Sequence, residues 1–181
     1  MSKKLFVVCF VLACALGSIP LFNAFAQGTA LSDQQIILIK DNCISSRNTL
    51  NQLHVSDALL RVNMGQAYES MSTKLMDRFN SRISNNSLSN SDLVAVSKDY
   101  VSSLDEFRLD YIAYEAQLSL ALKIDCEKQP ADFYDAISVA YKGRNQVHDD
   151  VLKLNQYIDK YQLALDKFEK DYQAIGEGSK K

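Results

Sequence analysis

The sequence predicts an all-α protein, an antiparallel three-helix bundle with long coiled-coil-like helices. Three observations carry that expectation. Apolar residues return at steps of three and four through three successive segments, which places them on one stripe of each helix. The polar connections, 85–91 and 127–130, are short enough to force neighbouring helices antiparallel. The third segment keeps a 4-3-4-3 rhythm almost throughout, the signature of left-handed packing against long partners. The chain divides into an export signal at 1–26, the bundle at 27–174 with helices at about 32–84, 91–126 and 130–174, and a disordered tail at 175–181.

Residues 1–26 have the pattern of a cleaved signal. Met1, Ser2, Lys3 and Lys4 form a basic start, Leu5 to Leu16 an apolar run, and Ala24, Phe25 and Ala26 a cleavage site with small residues two apart. An uncleaved anchor competes with this reading, because about 20 apolar residues cross a bilayer, although Pro20 and Asn23 weaken it. A lipid anchor at Cys14 is a third possibility. Contact with a membrane is expected only if the segment stays attached.

Losing Lys3 and Lys4 lowers the 20 basic residues to 18 against 22 acidic ones. That mild acidity argues against a nucleic-acid partner, which calls for a basic stripe. Cys9 and Cys14 also leave with the signal, so Cys43 and Cys126 remain. In an oxidising compartment such a pair reads as a disulfide; two separate buried thiols are the alternative. A bridge across so long a loop stabilises by about 4 to 5 kcal/mol at most in the chain-entropy account.

Helix one opens on Ser32 with Gln35 three residues later, a capping box. Its stripe runs through Ile36, Ile39, Cys43, Ser46, Leu50, Leu53, Asp57, Leu60, Met64, Ala67 and Met71, then resumes after a one-residue shift at Leu75, Phe79 and Ile83. Unbroken, it would be about 75 Å long against about 50 Å for helix two. Its start, Ile36, Ile37, Leu38 and Ile39, would then project beyond its neighbours or fold back on them. Four consecutive apolar residues exceed what one stripe needs, so they are a candidate interaction surface.

Helix two is capped by Asn90 or Ser91 and carries Leu93, Val96, Tyr100, Leu104, Phe107, Tyr111, Tyr114, Leu118 and Leu122. Pro130 opens helix three at its first turn, and Phe133, Ile137, Ala140, Arg144, Val147, Val151, Leu154, Ile158, Tyr161, Leu165, Phe168 and Tyr172 form its stripe. Asp57 and Arg144 are the charged exceptions on their stripes. Helices one and three run parallel in this arrangement, and counting from Cys43 sets the two level, a candidate buried charge pair. Arg144 snorkelling to water and Asp57 pairing with Arg61 compete with it. Tyr68, Tyr134, Tyr141 and Tyr157 lie on the flanks, where they either pack between helices or present an aromatic interaction surface.

No catalytic residue, cofactor or metal site is expected. His148, Asp149 and Asp150 are adjacent, point different ways and read as an exposed polar face. Glu69 and Glu115 lack the Glu-x-x-His partner of a di-iron bundle, and no phosphate loop or nucleophile elbow occurs.

The stretches CISSRNTLNQLHVSDALLRVNMGQAYESMSTKLMDRFNSRI and YEAQLSLALKIDCEKQPADFYDAI resemble a group of exported, helix-only proteins of ultrasmall candidate-phylum bacteria. That group has no assigned activity, so the resemblance implies bacterial origin and an envelope or secreted setting. The periplasmic holdases with coiled-coil arms are similar in size and plan, but this chain lacks their trimer-forming strands and basic surface. The expected function is therefore noncatalytic: an exported envelope or cell-surface protein for protein interaction, self-association or spacing. A periplasmic holdase chaperone or adaptor is the alternative.

Overall fold

The computed structural model describes residues 31–178, and every regular element within them is helical. The expected signal and residues 179–181 lie outside the described residues. The elements are α1 (Asp33–Asp41), α2 (Cys43–Ser70), a π-helical segment (Met71–Met76), α3 (Asp77–Asn85), α4 (Ser91–Lys123) and α5 (Pro130–Gly178).

Ser32 caps α1 as its spacing predicts: the Gln35 amide donates to Ser32 Oγ at 3.3 Å, and the Ser32 amide donates to Gln35 Oε1 at 2.8 Å. The expected single long helix is nevertheless interrupted twice. Asn42 breaks it first, its side-chain amide donating to the Leu38 carbonyl at 2.8 Å. A side chain that bonds the local backbone competes with helix propagation in this way.

The second interruption is the π-helical segment, where the Asp77 amide reaches back to the Ser72 carbonyl. Bonding from i to i+5 widens the turn and rotates the following residues. Met76 is consequently buried at 1% exposure, whereas Leu75, the expected core position, is 47% exposed. Two tyrosines hold the ends of the segment. Tyr100 Oη of α4 donates to the Tyr68 carbonyl at 3.1 Å, and Tyr161 Oη of α5 contacts the Met76 carbonyl at 3.4 Å and Asn80 Oδ1 at 3.0 Å.

Two further boundaries differ from the sequence expectation. Helix α4 stops at Lys123 rather than 126, because Asp125 Oδ1 accepts the Glu127 and Lys128 amides and folds Cys126 into a turn. Helix α5 starts at Pro130 as expected but runs on to Gly178, past residue 174. Asn90 precedes α4 without a side-chain capping bond; its amide donates to the Asn80 carbonyl at 2.9 Å instead.

Helices α4 and α5 run antiparallel side by side. Asp92 pairs with Lys167 and Glu106 with Lys153, and Gly143 lies so close to Tyr114 that an added Cβ would sit 3.3 Å from its Cα. The α2–α3 arm runs antiparallel to α4: Cys43 joins Cys126 with a Cα separation of 5.6 Å, and Asn80 Nδ2 donates to Ser97 Oγ at 2.8 Å. Buried side chains gather in three zones. One surrounds the disulfide with Phe133, one joins Tyr111, Tyr114, Leu118 and Ala140, and the largest centres on Tyr68, Met76, Tyr100, Phe107, Leu154 and Tyr161.

Candidate functional site

Between the disulfide zone and the largest core, the arm leaves a gap over α4 and α5. Asp57, Leu60, Arg61, Met64 and Tyr68 of α2 line one wall, with Phe107, Tyr111 and Tyr114 of α4 and Arg144, Val147, His148 and Val151 of α5 opposite. The open volume is about 350 Å³. Leu60 and Met64 stand on the sequence stripe, yet both are exposed. Apolar side chains at that period ordinarily find partners, so their exposure marks the opening as a feature of the tertiary arrangement.

One end of the groove is fixed by Asp57 and Arg144, which meet in a two-point ion pair. Arg144 Nε lies 2.8 Å from Asp57 Oδ2, and Arg144 Nη2 lies 3.2 Å from Oδ1. Tyr114 Oη adds a 2.6 Å hydrogen bond to Asp57 Oδ2. Burial alone would raise the Asp57 carboxyl, but the bonds from Arg144 and Tyr114 hold it below the usual carboxylate range. Burial, together with the same carboxylate, pushes the Tyr114 hydroxyl well above its ordinary value. The Asp57 side chain is 11% exposed and Arg144 48% exposed, so the pair is buried on the acidic side and wet on the basic side. Arg61 does not reach Asp57; its guanidinium lies 5.0 Å above the Tyr111 ring.

The interaction candidates separate. Ile37 and Leu38 are exposed, while Ile36 is half-buried and Ile39 packs against the disulfide zone. The start of α1 therefore turns one side inward rather than projecting whole. Tyr134 and Tyr141 are exposed, Tyr157 is half-buried beneath Lys160 Nζ at 4.5 Å, and Tyr68 is a core residue. The expected flank position of Tyr68 is thus corrected: its ring meets Phe107 edge to face at a centroid distance of 5.8 Å.

The reading of His148, Asp149 and Asp150 as one exposed face also fails at Asp150, which is buried between α4 and α5. Gln146 Nε2 donates to Asp150 Oδ1 at 3.2 Å, and Oδ2 has no partner. Burial and the neighbouring Asp110 push the Asp150 carboxyl up to about 6, with Glu106 adding to the rise. The helical period carries part of the signal, since Asp150 follows Val147 by three and precedes Leu154 by four whereas Asp149 does neither; the α4 face opposite decides the rest. Glu69 and Glu115 stand at the α2–α4 edge, Glu69 against Arg108 and Glu115 3.9 Å from His54 Nε2.

The chain matches no protein-family model, no curated protein and no solved structure. Among the described residues, no helix is long and apolar enough to cross a membrane.

Proposed function

We propose that this is a noncatalytic, exported protein of a bacterial envelope or cell surface, an antiparallel three-helix bundle that docks onto the helix of another protein. One observation supports the reading above the rest: an uncovered apolar row on the outer face of α2. Val55, Leu59 and Val62 follow one another at steps of four and three, with Ile44 three turns earlier on the same side. Val55 is 70% exposed and Leu59 63%. A row at this period suits a second helical stripe, as in the groove-and-ridge packing of helices. The disulfide accords with an oxidising compartment, and the resemblance to exported helix-only proteins of ultrasmall bacteria supports the same setting.

A photoreactive residue at position 59 should give a discrete protein adduct in the native envelope, and Val55→Glu should remove it. The same adduct pattern with and without Val55→Glu, or no adduct, would sink the reading. An adduct with a second copy of this chain would assign the row to self-association. Suppression of aggregation of unrelated unfolded proteins, lost in the same variant, would favour a holdase.

A further inference from the structure

We propose that the groove between α2, α4 and α5 binds a single-chain amphiphile with an anionic head, a free medium-chain fatty acid. It concerns residues other than the outer row of α2 and stands apart from the protein-docking reading.

The lining of the groove is largely apolar. Leu60, Met64, Phe107, Val147 and Val151 present hydrocarbon, and the same α2 stripe is covered on either side by the disulfide zone and by the core around Tyr68. The void is therefore local. Its volume of about 350 Å³ falls at the small end of ligand sites, about 300 to 1,000 Å³. A second helix would need a continuous trough, whereas this opening extends only from Asp57 to Tyr68, about 16 Å of helix at 1.5 Å per residue.

Charge sets the sign of the head. The one carboxylate in the lining, Asp57, is neutralised by Arg144 and accepts a hydrogen bond from Tyr114. Arg61 stands in the same lining with no acidic partner among the described residues. A carboxylate thus finds a cation with free donors, and a cationic head finds no counter-charge. Tyr68 adds an independent sign of a missing acceptor. It is 4% exposed, it lines the groove, and its hydroxyl is shielded from water with no hydrogen-bond partner. A buried donor left unmade is costly, and an acceptor brought into the groove relieves it.

Calorimetric titration of the oxidised protein tests this with octanoate, decanoate, decanol and decyltrimethylammonium. Decanoate should bind as one molecule per chain, and octanoate should bind about tenfold more weakly, as loss of two buried methylenes requires. Arg61→Gln should weaken decanoate on the order of fivefold and leave decanol unchanged. Met64→Trp, which fills the groove, should abolish binding while the circular dichroism spectrum stays helical. If that variant does not fold, Leu60→Trp and the decanoate-to-decanol split in Arg61→Gln decide the matter. Absence of decanoate binding, equal binding of decyltrimethylammonium, or wild-type binding by a folded groove-filled variant would overturn the proposal. So would flotation with anionic phospholipid vesicles without any uptake of the free acid.

Discussion

The arm that begins at Cys43 behaves in opposite ways on the two sides of Tyr68. From Tyr68 onward its inward residues, Tyr68, Met76 and Ile83, are sealed against α4 and α5. Before it, Leu60 and Met64 occupy equivalent stripe positions and stay open to water. Apolar content does not explain this, because the open stretch is the richer in aliphatic side chains and the poorer in charges. Their long-range partners do: the sealed stretch is drawn in by tyrosine hydroxyls at the Tyr68 and Met76 carbonyls, while the open one is held by the disulfide at one end, by Arg47 at the Leu122 carbonyl and by Asp57 with Arg144 and Tyr114. A helical stripe is a request for burial, and the tertiary contacts decide whether it is met.

That contrast can be broken most directly at the disulfide. The paired Cys43→Ser, Cys126→Ser variant should lose about 3 to 4 kcal/mol in chemical denaturation, somewhat below the chain-entropy limit for a separation of 83 residues. Protection of α2 amides should fall further than that of α3. Equal loss in both would mean that the arm is anchored elsewhere.

Truncating the sealed core comes next. Leu154→Ala removes a fully buried side chain and should cost about 3 kcal/mol, measured by denaturant midpoint at constant slope. Arg144→Leu should cost less, about 1 to 2 kcal/mol, because water screens the exposed guanidinium and Tyr114 still bonds Asp57. A larger loss would show that the Asp57 carboxylate depends on Arg144 alone.

Asp150 yields a pH test of the sealed side. Its folded value of about 6 lies above the usual aspartate value near 3.9. The folded protein therefore takes up a proton that the unfolded chain does not, and the associated stability is complete below about 3.9 and lost as pH rises through about 6. Melting temperature should accordingly rise on acidification from about pH 7.5 to about pH 5. Asp57, whose value is lowered, opposes this only at more acidic pH. Asp150→Asn, facing Asp110, Glu106 and the Glu106 partner Lys153, should flatten the slope and gain about 1 kcal/mol near neutrality. An unchanged slope would place the titration elsewhere. The smallest effect belongs to the open stretch: Leu60→Ala should change stability by less than about 0.5 kcal/mol, in contrast to Leu154→Ala.

Much of α4 and α5 was readable because each step of three or four, from Leu93 to Leu118 and from Phe133 to Tyr161, keeps one face inward, fully buried or half-buried, with the charged Arg144 the exception. Counting residues from Cys43 also put Asp57 level with Arg144, since parallel helices of equal rise stay in step. The arm was harder. The stripe passes Asn42 unturned, but the π-helical segment shifts it, so the expected Leu75 gives way to Met76, and Tyr68, just ahead of that segment, goes inside against Phe107. The hydroxyls that hold this rotation come from Tyr100 and Tyr161, far away in sequence, and leave no mark on the residues they hold.

By itself the order of side chains determined that the described residues are helical, where their polar connections fall and which faces of α4 and α5 turn inward, because these follow from local period and capping. Only the tertiary structure decided that Leu60 and Met64 stay uncovered, that Asp150 is shut between helices beside Asp110, and that Tyr68 is enclosed. Burial is a property of two surfaces meeting, and one strand of sequence records only its own.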